Sequence, residues 1–215
     1  MGFYGVGIAR QHRKAAPMPT HVIENDFSDE RGTLLAFLEA QRGGLRRALL
    51  GLSDEQAAQR PSASGLSLSG LLKHVAETEL TWVENAKEAQ NSIQRDESNW
   101  HLGFQLEGAE TVESVLAFWD KVAAETEAYV RSVPDLDVTF PLPAAPWFPP
   151  NTRHSVRWLL LHLIEETGRH AGHADIIRES LDGKTAFELV AAEAQGEGEA
   201  QGEGKAQGEG AGAAG

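Results

Sequence analysis

The sequence predicts an all-α protein: a four-helix bundle with disordered termini. Three observations predict it. Four stretches of about 23–28 residues carry apolar side chains at the 3.6-residue period of a helix. No stretch between them has the alternation of a half-buried strand. After Ala192 the apolar side chains nearly vanish.

The expected domain organisation is a flexible leader over residues 1–25, a helical domain over 26–185, and a disordered tail over 186–215. The leader has basic residues but no apolar core of the 7–15 residues that a secretory signal needs. The tail repeats AQGEG at Ala194, Ala200 and Ala206. Glycine-rich and acidic, it cannot bury enough surface to offset its ordering entropy.

The first helix spans Asp26 to Leu52, with Leu34, Leu38, Leu45 and Leu49 in register and acidic residues in its first turn, where the helix dipole favours them. Gly43-Gly44 makes a bend plausible there. Ser67 opens the second helix, running to about Gln94, with an apolar stripe from Leu68 through Val75 to Ala86. His74 lies at the edge of that stripe, and Glu77 is expected to face solvent. Residues 95–110 read as a loop. Thr111 caps the third helix, whose core face includes Val115, Trp119, Val122 and Thr126, and Pro134 closes it. Pro134 to Ser155 holds six of the nine prolines together with Phe140, Trp147 and Phe148. Proline fixes φ, so this is a rigid connection that packs across the bundle end or forms a pocket wall.

The fourth helix, Val156 to Leu181, carries the functional signal. Val156, Leu159, Leu163, Ala174, Ile177 and Leu181 form one stripe, and Glu166 and His170 interrupt it where leucine or isoleucine belongs. At i and i+4 their side chains converge on one point. Burying a carboxylate is costly unless it is compensated. A hydrogen bond between the two within the core is one solution. A metal ion is another, and it accounts for the histidine as well.

Composition narrows the function. A formal net charge of −13 argues against nucleic acid or an anionic membrane as partner. The absence of cysteine excludes disulfides, thiolate metal sites and a cysteine nucleophile, and fits a cytoplasmic location. No apolar run approaches the roughly 20 residues needed to span a bilayer.

The strings GLSDEQA, GLSLSGLLKHVAETE and RHSVRWLLLHLIEETGRHAGHADIIRE resemble the DinB/YfiT-like superfamily, in particular its actinobacterial mini-circle-protein branch, from about Asp29 to Gly183. The resemblance implies an up-down-down-up bundle with a divalent metal near one end. Its second and third helices are then parallel, and the 16 or so residues of 95–110 are long enough for the crossover at roughly 3.3 Å per residue. The ligand pattern of the mycothiol-dependent maleylpyruvate isomerase (His, then Glu and His four apart) falls on His74, Glu166 and His170. His173, seven residues after Glu166, is an alternative or additional ligand, and His162 a weaker one.

Zinc is the first choice for such a site, with nickel, manganese and iron also compatible. Two nitrogens and one carboxylate leave a coordination position open, as catalytic sites do. The resemblance implies mycothiol as the thiol partner. The expected function is therefore a thiol-dependent S-transferase or isomerase acting on a small electrophile, with a homodimer as a possible assembly. The alternatives are a hydrolase using metal-bound hydroxide and a non-catalytic metal-binding protein. Trp147 and Phe148 are candidates to cover the site.

Overall fold

The computed structural model describes residues 29–142 and 148–194. The expected leader 1–25, Trp147 and most of the AQGEG repeats lie outside the described residues.

The four expected helices are α1 (Glu30–Ala48), α3 (Leu68–Ala86), α4 (Val112–Ser132) and α5 (Val156–Asp182), with a single turn, α2 (Asp54–Ala57), after the first. Their starts follow side-chain chemistry. Ser67 Oγ accepts from Gly70 N at 3.2 Å, and Ser155 Oγ from Trp158 N at 3.1 Å. Thr111 and Ser114 satisfy each other's amides in a capping box.

The ends are set differently. α3 stops at Ala86, earlier than the expected Gln94, because Glu88 takes a positive φ of 53° and Tyr129 Oη donates to the Ala86 carbonyl at 2.8 Å. The buried Arg178 guanidinium closes α1 by donating to Ala48 O at 2.9 Å and Leu50 O at 2.8 Å. α5 ends at Gly183, whose φ of 80° places it in the left-handed region that favours glycine. The expected bend at Gly43-Gly44 does not interrupt α1. Gly44 packs against Ala171 of α5, whose Cβ would lie 3.4 Å from a Cβ at that position.

Side-chain pairs fix the topology. Arg157 joins Glu30 where α5 and α1 begin, and Arg178 reaches Ala48 where they end, so these helices are parallel. His74 faces Glu166 while Trp82 faces His162, so α3 runs antiparallel to α5. Lys73 near the start of α3 meets Glu110 just ahead of α4, and Ala86 meets Tyr129 at their ends, so α3 and α4 are parallel. The bundle is up-down-down-up.

Two further features depart from expectation. The proline-rich connection contains two short strands, β1 (Thr139–Pro141) and β2 (Arg153–Ser155), paired antiparallel with Phe140 opposite His154. Three residues, one of them proline, are too few to carry an alternation signal in sequence. Phe140 is buried, so the connection packs onto the bundle as one of its two expected roles. Residues 186–194, expected in the disordered tail, are helical, and Leu189 is buried while Arg47 Nη1 and Glu193 Oε2 lie 3.5 Å apart. Burial of Leu189 supplies the apolar contact that the composition of the whole tail concealed.

The centre of the bundle holds a carboxylate. Glu79, 1% exposed, accepts from Arg42 Nε at 3.1 Å, from Trp119 Nε1 at 2.8 Å and from Thr126 Oγ1 at 2.6 Å, and it also pairs with the Arg42 terminal nitrogen. This network joins α1, α3 and α4. Removing Glu79 leaves the buried Arg42 guanidinium with Glu39 as its remaining carboxylate partner and takes the acceptor from the Trp119 indole. Glu79→Ala should therefore lower the unfolding free energy by about 3–5 kcal/mol. Urea denaturation followed by circular dichroism measures this, and a loss below about 1 kcal/mol would show that the network is dispensable.

Candidate metal centre

The antiparallel crossing of α3 and α5 brings His74, Glu166 and His170 together, with one ligand atom from each within 4.8 Å of the others. Both histidines turn Nε2 to the same oxygen. His74 lies 3.2 Å and His170 3.1 Å from Glu166 Oε1. The hydrogen bonds from His170 and His74 hold the Glu166 carboxyl far below the usual carboxylate range, against the opposing effect of burial.

These donors fit a divalent cation. Metal–ligand bonds of about 2.0–2.1 Å at tetrahedral angles separate neighbouring ligand atoms by roughly 3.4 Å, close to the two histidine–glutamate distances. The side chain of His170 is 10% exposed, whereas those of His74 and Glu166 are each 22% exposed, so the cluster is walled on one side and reachable on the other. The set is two nitrogens and one carboxylate.

The flanking histidines separate from the cluster. His173 approaches His170 through Nδ1, 3.4 Å from His170 Nδ1, on the opposite edge of the ring from Glu166. It is a neighbour of the candidate ligand rather than a member of the converging set. His162 stacks against Trp158, with ring centroids 4.9 Å apart, and meets the edge of Trp82 at 4.8 Å. Burial pushes its pKa down.

Sequence reasoning missed the residue that fixes His74. Phe104, at the end of a 3₁₀ helix spanning Trp100–Phe104, stacks on the His74 ring at 4.2 Å with an interplanar angle of 17°. Gly70 makes this approach possible, since a Cβ there would lie 2.2 Å from Phe104 O. Nothing in the mixed polarity of residues 95–110 marks Phe104. Glu77, expected in solvent, instead receives Arg95 through Nε at 2.9 Å and Nη2 at 2.6 Å. Beside His74 opens a cleft of about 430 Å³ whose lining includes Phe148.

Two other acids of α5 lie outside the cluster. Glu165 pairs with Arg169, and Asp175 lines a separate groove between α1, α5 and residues 186–190.

Fold and site together define a DinB-like helical bundle carrying a candidate His-Glu-His metal centre. The family described as Mycothiol-S-transferase matches residues 33–183, and the chain belongs to that family. A crystal structure of a conserved protein of a locus from Enterococcus faecalis has the same fold, with a TM-score of 0.53 and 13% identity over 73% of this chain and 99% of that one. No curated protein matches the chain. Among the described residues, no helix is long and apolar enough to cross a membrane.

The depressed Glu166 pKa has a thermodynamic consequence in metal-free protein. A carboxyl whose folded pKa lies below its unfolded value near 4.3 stabilises the fold above that pH, and the contribution is lost as pH falls further toward the folded value. Metal-stripped Glu166→Gln should therefore unfold more easily than the parent at pH 7, with the difference shrinking below about pH 4.3. A difference that stays constant from pH 7 to pH 3 would show that the carboxylate is not linked in this way.

Proposed function

We propose that this chain is a metal-dependent mycothiol S-transferase, with His74, Glu166 and His170 holding one divalent ion, zinc foremost, beside a cleft that admits a small electrophile. The observation that carries the reading is the convergence of two Nε2 atoms on Glu166 Oε1, at 3.2 and 3.1 Å, at a partly exposed point next to that cleft. Family membership supports the thiol and the transfer.

A divalent ion held by His74, Glu166 and His170 would supply a Lewis-acidic charge that favours a thiolate over a thiol. The chain's own residues do the rest. Phe104 stacking keeps the His74 ring in one orientation. His173 faces His170 Nδ1, where it can accept the ring proton when Nε2 is engaged. Glu166 needs no proton removed near neutral pH, since its pKa is already depressed. With no cysteine in the chain, no internal thiol competes with the incoming one. In the transfer, the thiol sulfur bonds to the electrophilic carbon, the leaving group departs with the bonding electron pair, and the thiol proton passes to solvent.

Two measurements test this. Metal analysis of purified protein should give one divalent ion per chain. His74→Ala and His170→Ala should each lower occupancy, and Glu166→Gln should weaken binding with the fold intact. His173→Ala should have a smaller effect. Occupancy should fall in acid, because protons compete with the ion for its ligands. In cobalt-substituted protein, mycothiol should produce a thiolate charge-transfer band in the near ultraviolet. Full metal content in His170→Ala would remove that ligand from the set. An unchanged cobalt spectrum at millimolar thiol would overturn the transferase reading.

A further inference from the structure

The cleft beside His74 has a lining unlike that expected for a sugar-bearing thiol. Its walls are Trp82, Trp100, Phe104, Phe148 and Ile93. Most of its polar side chains already have partners within the protein. Arg95 and Glu77 bond each other twice, Thr81 Oγ1 donates to the Glu77 carbonyl at 2.9 Å, and His74 turns Nε2 to Glu166. Thr78 and Asn85 are the remaining polar side chains in the lining. A ligand rich in hydroxyl groups would lose its water here and find few hydrogen bonds in return, at a cost for each unmatched group. A planar apolar ligand loses little water and gains aromatic faces on several sides.

The geometry also has a direction. Phe104 is both a wall of the cleft and the ring stacked on His74, so a molecule against Phe104 lies within one ring of the candidate metal ligands. Trp100 is 59% exposed and meets Phe104 edge-on with centroids 6.0 Å apart, which places it at the mouth. The volume of about 430 Å³ lies in the lower part of the range of about 300–1,000 Å³ typical of small-molecule sites.

We infer that this cleft is the subsite for the electrophile rather than for the thiol, and that it selects a planar aromatic electrophile. The inference deepens the transferase reading above and rests on it. For an aryl halide activated by nitro groups, the thiolate sulfur attacks the ring carbon bearing the halogen. The carbon–sulfur bond forms, the carbon–halogen bond breaks, and halide leaves with the electron pair. The proton lost by the thiol goes to solvent.

The experiment uses the full chain loaded with zinc and has two arms. In the first, calorimetry follows binding of 2,4-dinitrotoluene, a planar ring with no leaving group. It should bind saturably, in metal-stripped and His170→Ala protein as well, and several-fold more weakly to Trp100→Ala and Phe148→Ala. In the second, mycothiol is held saturating and kcat/KM is compared for 1-chloro-2,4-dinitrobenzene and for iodoacetamide. The ratio of the two should favour the aromatic compound in the parent and fall about five- to tenfold in Trp100→Ala, the effect of losing one aromatic wall. No saturable binding of dinitrotoluene, or an unchanged ratio in Trp100→Ala, overturns the inference. So does mycothiol displacing dinitrotoluene, because the cleft would then belong to the thiol. Binding of dinitrotoluene without thiol-dependent turnover of either compound would overturn the transferase reading, which separates the two failures.

Discussion

A carboxylate at the centre of the bundle ties its helices together. Glu79 of α3 is almost fully buried, and its two oxygens are divided among the Arg42 guanidinium, the Trp119 indole and the Thr126 hydroxyl. Arg42 also pairs with Glu39, and Arg46 links Glu39 to Asp120 of α4, so the charges extend outward toward water. Such a network is costly to desolvate and worthwhile only when every member is satisfied. Its effect is geometric: an apolar core could slide by a turn, whereas this one sets the register of α3 against α1 and α4.

That register positions the site. His74 lies five residues before Glu79 on the same helix, so a shift of α3 along α5 would carry it away from Glu166. Parallel α1 and α5, held at both ends by Arg157 and Arg178, keep Glu166 and His170 at fixed depth. The crossover from α3 to α4 then does two jobs. It returns the chain so that α4 can run parallel to α3, and it lays Phe104 on His74 on the way. The Arg95–Glu77 pair fastens this segment to α3.

The site itself balances opposing effects. Burial raises the proton affinity of Glu166, and the two imidazole N–H groups reverse that effect. In metal-free protein the carboxylate therefore supplies the negative charge around which the histidines gather. The same atoms form a donor set of two nitrogens and one oxygen. Around it most of the polar groups are paired within the protein, and aromatic side chains line the cleft.

The sequence by itself determined the four long helices, the starts of two of them at Ser67 and Thr111, and the anomaly of Glu166 and His170 within an apolar stripe, because each is a pattern local to a turn or two of helix. Glu79 was legible by the same rule, since it lies four residues from both Val75 and Val83 within the stripe of α3, yet its role depends on Arg42, Trp119 and Thr126, each more than 35 positions away. The tertiary structure alone decided that His173 addresses the far edge of His170, that Phe104 orients His74, that residues 186–194 form a helix with Leu189 buried, and that the proline-rich connection pairs as two short strands. Periodicity reports which face of an element is apolar. It carries no information on which distant ring or carboxylate that face will meet, and those meetings decide ring orientation, side-chain pairing and the shape of the cleft.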